Sequence, residues 1–208
     1  MTLMRPQIVA AAPNPPGGQA SVGPVGVRST CPWPGRFLTL AVFTILGLWV
    51  VASPVGAASD RPASAVRSLE QGVLAEVNAL RHQHGLMPLR LSSGLAAAAR
   101  QHSTEMASHG YFGHSSANGS SFERRIARFY PRGGRHYWSV GENLLWSSPN
   151  VDTTVVLSSW LNSPEHRKNI LRRRWREIGL SAVHVPSAPG AYGGREVTIV
   201  TADFGARR

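Results

Sequence analysis

Trp160-Leu161-Asn162-Ser163-Pro164-Glu165-His166-Arg167-Lys168-Asn169-Ile170-Leu171 is the stretch on which the reading of this chain turns. Pro164 ends one helix and opens another, because it cannot donate to a preceding carbonyl yet has the φ of a first helical position. Ser163, just before it, is placed to be the N-cap of the helix that carries His166. Upstream, Gly141-Glu142-Asn143 brings a carboxylate and Phe112-Gly113-His114-Ser115 a second histidine. Residues from three separate segments meet only if the fold brings them together, and two histidines with a carboxylate are the pattern of a site.

Leu69, Val73, Val77 and Leu80 recur at helical spacing, so residues 66–84 read as an amphipathic helix stopped by Gly85 and Pro88, with Arg67, Glu70, Arg81 and Gln83 expected on its surface. Leu89-Arg90-Leu91 is a short extended piece. The alanine-rich residues 95–109 predict a second helix closed by Gly110, and residues 121–129 a third. Residues 131–140, rich in Gly, Arg and aromatics, read as a loop leading to an extended segment over 141–146. Residues 151–161 return to helix with Asp152 near the start. The β-branched runs 178–185 and 197–204 predict two strands joined by a Pro- and Gly-rich link. Helices before and between strands, with an antiparallel end, argue for an α+β layered domain.

Ahead of that domain, residues 1–36 are rich in Pro, Gly, Ala and Val and read as a disordered leader, or as sequence upstream of the true start. Residues 37–58 hold an uncharged apolar run preceded by Arg28 and Arg36 and followed by Val55-Gly56-Ala57-Ala58, the pattern of a secretory signal peptide. The run falls short of the roughly 20 residues that span a bilayer core, and an uncleaved anchor is the alternative. Residues 59–65 are expected to be a polar linker, and residues 66–208 the folded domain. Cys31, the only cysteine, precedes the apolar run, so the exported domain has no disulfide and is held by its core. A lipidated cysteine would follow the run, which excludes that use of Cys31.

Of the 22 Lys and Arg, the three before residue 59 are Arg5, Arg28 and Arg36; the remaining 19 face 11 Asp and Glu, a net charge of +8. The densest basic groups are Arg167-Lys168 with Arg172-Arg173-Arg174 and Arg176, and Arg124, Arg125, Arg128, Arg132 and Arg135. A solvated basic face explains such groups. As partners of an exported protein they point to anionic lipid or cell-wall polymer, with nucleic acid the less favoured.

Over residues 69–205 the chain resembles the bacterial branch of the CAP superfamily, the cysteine-rich secretory, antigen 5 and pathogenesis-related proteins. The resemblance is carried by Val77-Asn78 with Arg81, Gly85 with Pro88-Leu89, His102 and Met106, Phe112 with His114-Ser115, and Phe122 with Arg125. Gly141-Glu142-Asn143, residues 160–171, Glu177-Ile178-Gly179 and Asp203-Phe204-Gly205 complete it. It implies an α-β-α sandwich around a small central antiparallel sheet, with a cleft holding two histidines and two acidic residues. Carried over by position, these fall on His114, Glu142 and His166, while the second acidic place is taken by Ser163. It also implies binding of lipids, glycans or proteins more than turnover.

The residue types permit a metal. His114, Glu142 and His166 would leave a fourth position for water on Zn²⁺ or another divalent cation, although the His-Glu-x-x-His spacing of zinc proteases is missing. Alternatively, Glu142 hydrogen-bonds one or both imidazoles and locks the cleft as a buried polar network, with Asn143 capping backbone groups and Trp160 in the core. A nucleophilic triad is a third reading, with Ser163 three residues before His166, which Glu142 would orient, or with Ser115 next to His114, acting on wall peptides or proteins. His102, Glu105 and His109 share a helix face, yet His102 reads as a packed, hydrogen-bonded residue. His82, His84, His109, His136 and His184 read as surface or loop residues.

Overall fold

The computed structural model describes residues 60–149 and 151–208. The leader, the apolar run and Cys31 lie outside the described residues. Five helices and four strands follow in the order α1 (Asp60–Gln83), β1 (Arg90–Leu91), α2 (Ser93–His109), α3 (Phe122–Phe129), β2 (Trp138–Ser147), α4 (Thr153–Asn162), α5 (Pro164–Ile170), β3 (Glu177–Ala188) and β4 (Arg195–Arg207). α1 begins at Asp60, so most of the stretch expected to be a linker belongs to its first turns. β2 likewise begins inside the expected loop, at Trp138.

The sheet order is β1-β3-β4-β2, which puts β2 on an edge. β3, β4 and β2 run antiparallel. The central strands are antiparallel as expected, and the two-residue edge strand β1 adds one parallel pairing with β3, Arg90 opposite Glu177 and Leu91 opposite Ile178. Two residues suffice for that because β1 is the brief bridge between α1 and α2, and not the partner in a hairpin.

Alternation along β4 sorts the two helical layers. Val200, Ala202, Phe204 and Ala206 face one side and join Val73 and Val77 of α1, Trp160 of α4 and Ile170 of α5 in the main core. Val197 and Ile199 face the other side, with Met106 and Ala107 of α2. Leu95 and Ala98 of α2 and Ile126 of α3 pack with Tyr130 in a third cluster. Period-two residues on the strands thus meet period-3.6 stripes on the helices from both faces.

The helix ends follow local chemistry. Ser92 caps α2, accepting from Leu95 N, and Asp152 caps α4, accepting from Val155 N at 2.8 Å. α2 stops at Gly110, which takes the left-handed conformation at φ 68°. There the chain touches the β3–β4 connection: a Cβ on Gly190 would lie 2.1 Å from the Gly110 carbonyl oxygen, and Ala191 N donates to that oxygen at 2.7 Å. Tyr192 closes the contact by donating its hydroxyl to Tyr111 O at 2.8 Å.

Candidate functional site

Successive residues of edge strand β2 point to opposite layers, which makes Glu142-Asn143 the hinge of the site. Asn143 faces α5: its Nδ2 donates to His166 O at 3.1 Å, and its Oδ1 accepts from Asn169 Nδ2 at 3.0 Å. Asn169 Nδ2 also reaches Glu142 O at 3.0 Å. α5 is thereby fastened to β2, and the expectation that Asn143 serves backbone groups holds. Gly141 permits the approach, since a Cβ there would stand 2.9 Å from both Asn169 Oδ1 and Trp175 Cζ2. Trp160 is fully buried, with Nε1 donating to Leu144 O at 3.2 Å, as expected of a core residue.

Glu142 faces the α2–α3 layer and is buried. Its Oε1 accepts from His114 Nδ1 at 2.8 Å, and its Oε2 forms an ion pair with Arg125 of α3. A carboxylate only accepts, so His114 carries its proton on Nδ1 and keeps a lone pair on Nε2. Directly across the ladder from Glu142 stands Asp203, also fully buried. Burial and the Glu142 carboxylate raise Asp203 well above the ordinary carboxylate range. Burial raises Glu142 too, but Arg125 pulls the other way. A proton held by this pair relieves the repulsion between its two carboxylates, and Arg125 is the cation that offsets the charge Glu142 carries when ionised.

The loop bearing His114 is tied down on three sides. Arg125 Nη1 donates to His114 O at 3.0 Å. His102 of α2, fully buried, donates from Nε2 to Gly113 O at 2.8 Å, so it is the packed residue expected. Glu105 accepts from Tyr111 Oη at 2.8 Å and from Ala117 N at 3.2 Å. The helix face of His102 and Glu105 thus positions a loop, while His109 is exposed.

A cleft of about 700 Å³ crosses β2 at this edge. His114, Phe122, Glu142, Ser163, His166 and Lys168 are among its walls, so the structure brings together all four residues singled out for the cleft. Burial lowers the pKa of His114 and, with its neighbour His114, that of His166. Both imidazoles are neutral at pH 7.

The expected metal set does not fit. Both oxygens of Glu142 are engaged, Oε1 by His114 and Oε2 by the Arg125 guanidinium, whose positive charge opposes a second cation beside it. Among the described residues no three His, Cys, Asp or Glu side chains are grouped to hold a metal ion. The triad reading also changes: Glu142 orients His114, whereas His166 Nδ1 is buried with no hydrogen-bond partner. Ser163 holds the N-cap position of α5, but its hydroxyl makes no capping bond.

Two site residues escaped the sequence reading. Arg125 was grouped with exposed arginines, yet it is 1% exposed. Its signal is the stripe Phe122, Ile126, Phe129, on which position 125 falls three residues after the first. Asp203 stood inside a β-branched strand, where a carboxylate has to be paired or protonated.

The sequence profile described as "CAP: Cysteine-rich secretory protein family" matches residues 74–204. The chain is similar to protein YkwD of Bacillus subtilis, at 35% identity over 121 residues, 58% of this chain and 44% of that protein. Membrane protein YlbC of the same organism is 31% identical over 111 residues, 53% of this chain and 30% of its own. The chain thus spans less than half the length of these curated relatives. Among solved structures, an extracellular protein containing an SCP domain from Bacillus anthracis aligns with TM-score 0.55 and 25% identity, covering 73% of this chain and 44% of that one. An outer surface protein of Borrelia burgdorferi, at 17% identity and TM-score 0.51 over 68% of this chain and 95% of its own, shares the fold alone. With the profile spanning well over half its residues and the fold agreeing, the chain belongs to the CAP, or cysteine-rich secretory protein, family.

Proposed function

We propose that this protein is an exported binding module whose His114, Glu142 and His166 cleft receives an extracellular ligand, a lipid, glycan or protein segment. The observation that carries the reading is the internal satisfaction of the cleft's charges: Arg125 and His114 take both Glu142 oxygens. What remains for a ligand is Phe122, Val140, two imidazoles and the charged side chains of Glu165, Lys168 and Arg172, a mixed apolar and polar wall suited to recognition. Export is supported by the apolar run over residues 37–58, by the extracellular relative from Bacillus anthracis, and by the net positive charge, which suits a wall or membrane surface.

A second reading has one observation in its favour. The His114–Glu142 bond of 2.8 Å is the base-and-orienter half of a hydrolytic site, with Nε2 of His114 left to take a proton. One experiment separates the two. Solubilised wall glycopeptide is titrated calorimetrically into the full chain and into the His114→Ala, His166→Ala variant, and product release is followed in parallel. Saturable binding without turnover, lost in a variant that keeps its Tm, is expected of a binding module. Turnover abolished by His114→Ala would overturn that reading in favour of the hydrolase.

A further inference from the structure

A second concavity, of about 650 Å³, is lined by Arg172, Arg173, Arg174, Arg176 and Arg208, and only Arg172 is shared with the His114 cleft. No acidic residue lines it. Five guanidinium groups lining one concavity repel one another, and one carboxylate in the rim would relieve them.

The backbone beneath these arginines is held firmly. Trp175, fully buried, stacks on Phe204 with ring centres 6.2 Å apart and carries the Arg172 guanidinium 5.0 Å above its ring. Arg81, also fully buried, donates to Ile170 O at 2.6 Å and Arg172 O at 3.2 Å on one rim, and to Met87 O at 3.0 Å on the other. Arg176 N donates to Gly205 O, and Arg208 exchanges backbone hydrogen bonds with Tyr137. Arg174 Nη1 donates to the Tyr137 hydroxyl at 3.1 Å. The backbone beneath the cations is thus a fixed frame, and the side chains of Arg172 and Arg174 are held as well, which lowers the cost of ordering them on binding.

Beside them stands an apolar tip. Met87 lines the pocket and is 63% exposed, one of three large hydrophobic side chains exposed among the described residues. An apolar tip adds nothing to the capture of a soluble polyanion, whereas at a bilayer it enters the interface while arginines meet phosphate.

We propose that the arginine pocket is a membrane-docking surface, seated on the phosphate headgroups of an anionic bilayer with Met87 in the interface. Apart from Arg172, which borders both, this surface is distinct from the one the His114 cleft offers its ligand. Arginine suits the task because its planar fork meets two phosphate oxygens at once.

The test is flotation of the full chain with neutral phosphatidylcholine vesicles and with vesicles containing about 30% phosphatidylglycerol at about 0.1 M salt. Any binding by the apolar run over residues 37–58 is common to every variant, so the difference between the two vesicle types reads the pocket. Arg173→Ser, Arg174→Ser, Arg208→Ser is expected to lower the phosphatidylglycerol-dependent partition on the order of 100-fold. Arg100→Ser, Arg124→Ser, Arg128→Ser removes the same charge elsewhere and is expected to retain it. Met87→Ser is expected to weaken partition severalfold with the salt dependence unchanged, an outcome available even if the triple variant fails to fold. Equal loss in both triples would make the binding one of bulk charge and overturn the proposal. So would retention on cell walls bearing phosphate polymers without enrichment on phosphatidylglycerol vesicles.

Discussion

Arg125 and Arg81 are both shut away from solvent, yet the protein keeps them by opposite means. Arg125 meets a carboxylate, Glu142, and lends Nη1 to the His114 loop, with its Nε left without a partner. Arg81 meets only carbonyl oxygens, those of Met87, Ile170 and Arg172, and its Nη2 has no partner at all. Burial and the nearby Arg176 accordingly lower Arg81 to about 10. The difference sorts the two surfaces above them. Over Arg125 the buried charge is closed by the Glu142 carboxylate at the foot of the cleft; over Arg81 no carboxylate answers the charge, and the pocket nearby is lined by arginines without an acidic residue.

Cutting the first arrangement is expected to have the largest effect. Arg125→Met leaves the Glu142 carboxylate buried and unpaired, which costs about 3–5 kcal/mol in urea unfolding, and adding Glu142→Leu recovers most of it. No second-site recovery of that kind exists for Arg81→Met, because backbone carbonyls cannot be substituted away. That variant is expected to lose about 2–3 kcal/mol by the same measurement, less than Arg125→Met because the carbonyls at the pocket rim regain water. If the order were reversed, carbonyl compensation would be the stronger device.

A third buried cation-former sharpens the comparison by giving up its charge. Burial, aided by Arg125, lowers His102 from its usual value to about 4. A depressed folded pKa means stability present above about 6.5 and lost as pH falls toward 4, amounting to about 2 kcal/mol at pH 5. The Tm of the wild type should drop over that window, and His102→Asn should flatten the drop. Asp203 works in the other direction: its raised pKa removes stability as pH climbs above the ordinary Asp value of about 3.9, and Asp203→Asn is expected to remove that decline. The smallest signal is expected from zinc. Calorimetry on the metal-stripped protein should give no saturable one-to-one binding, because Glu142 is held by Arg125; tight binding lost in His114→Ala would mean that the carboxylate swings free.

Much of this was legible in the residues themselves. The period of Leu69, Val73 and Val77, the caps Asp152 and Gly110, and the break at Pro164 each act within one turn of chain, so local rules find them. The meeting of His114, Glu142, Ser163 and His166 came from the family pattern, since nothing local joins residues 28 and 24 positions apart. Arg125 and Arg81 were misplaced for one reason: arginine is read by habit as a surface residue, while its long stem and five donors let it replace solvent for a whole set of buried acceptors. Asp203 was hidden because its partner lies across a ladder whose register is set by sixty intervening residues. The extended piece at Leu89-Arg90-Leu91 was legible, but its parallel pairing with β3 was not, being too short for any pattern to repeat.

The contact between Gly110 and Gly190 has a consequence for the history of the sequence. A side chain at either place would strike the backbone of the other, so no single replacement is neutral, and the two sites are eighty positions apart. Among descendants of this chain they should be inherited as a unit, both retained or both lost along with the turn between β3 and β4. Their joint fate in related genes would be a record of whether that turn has been rebuilt.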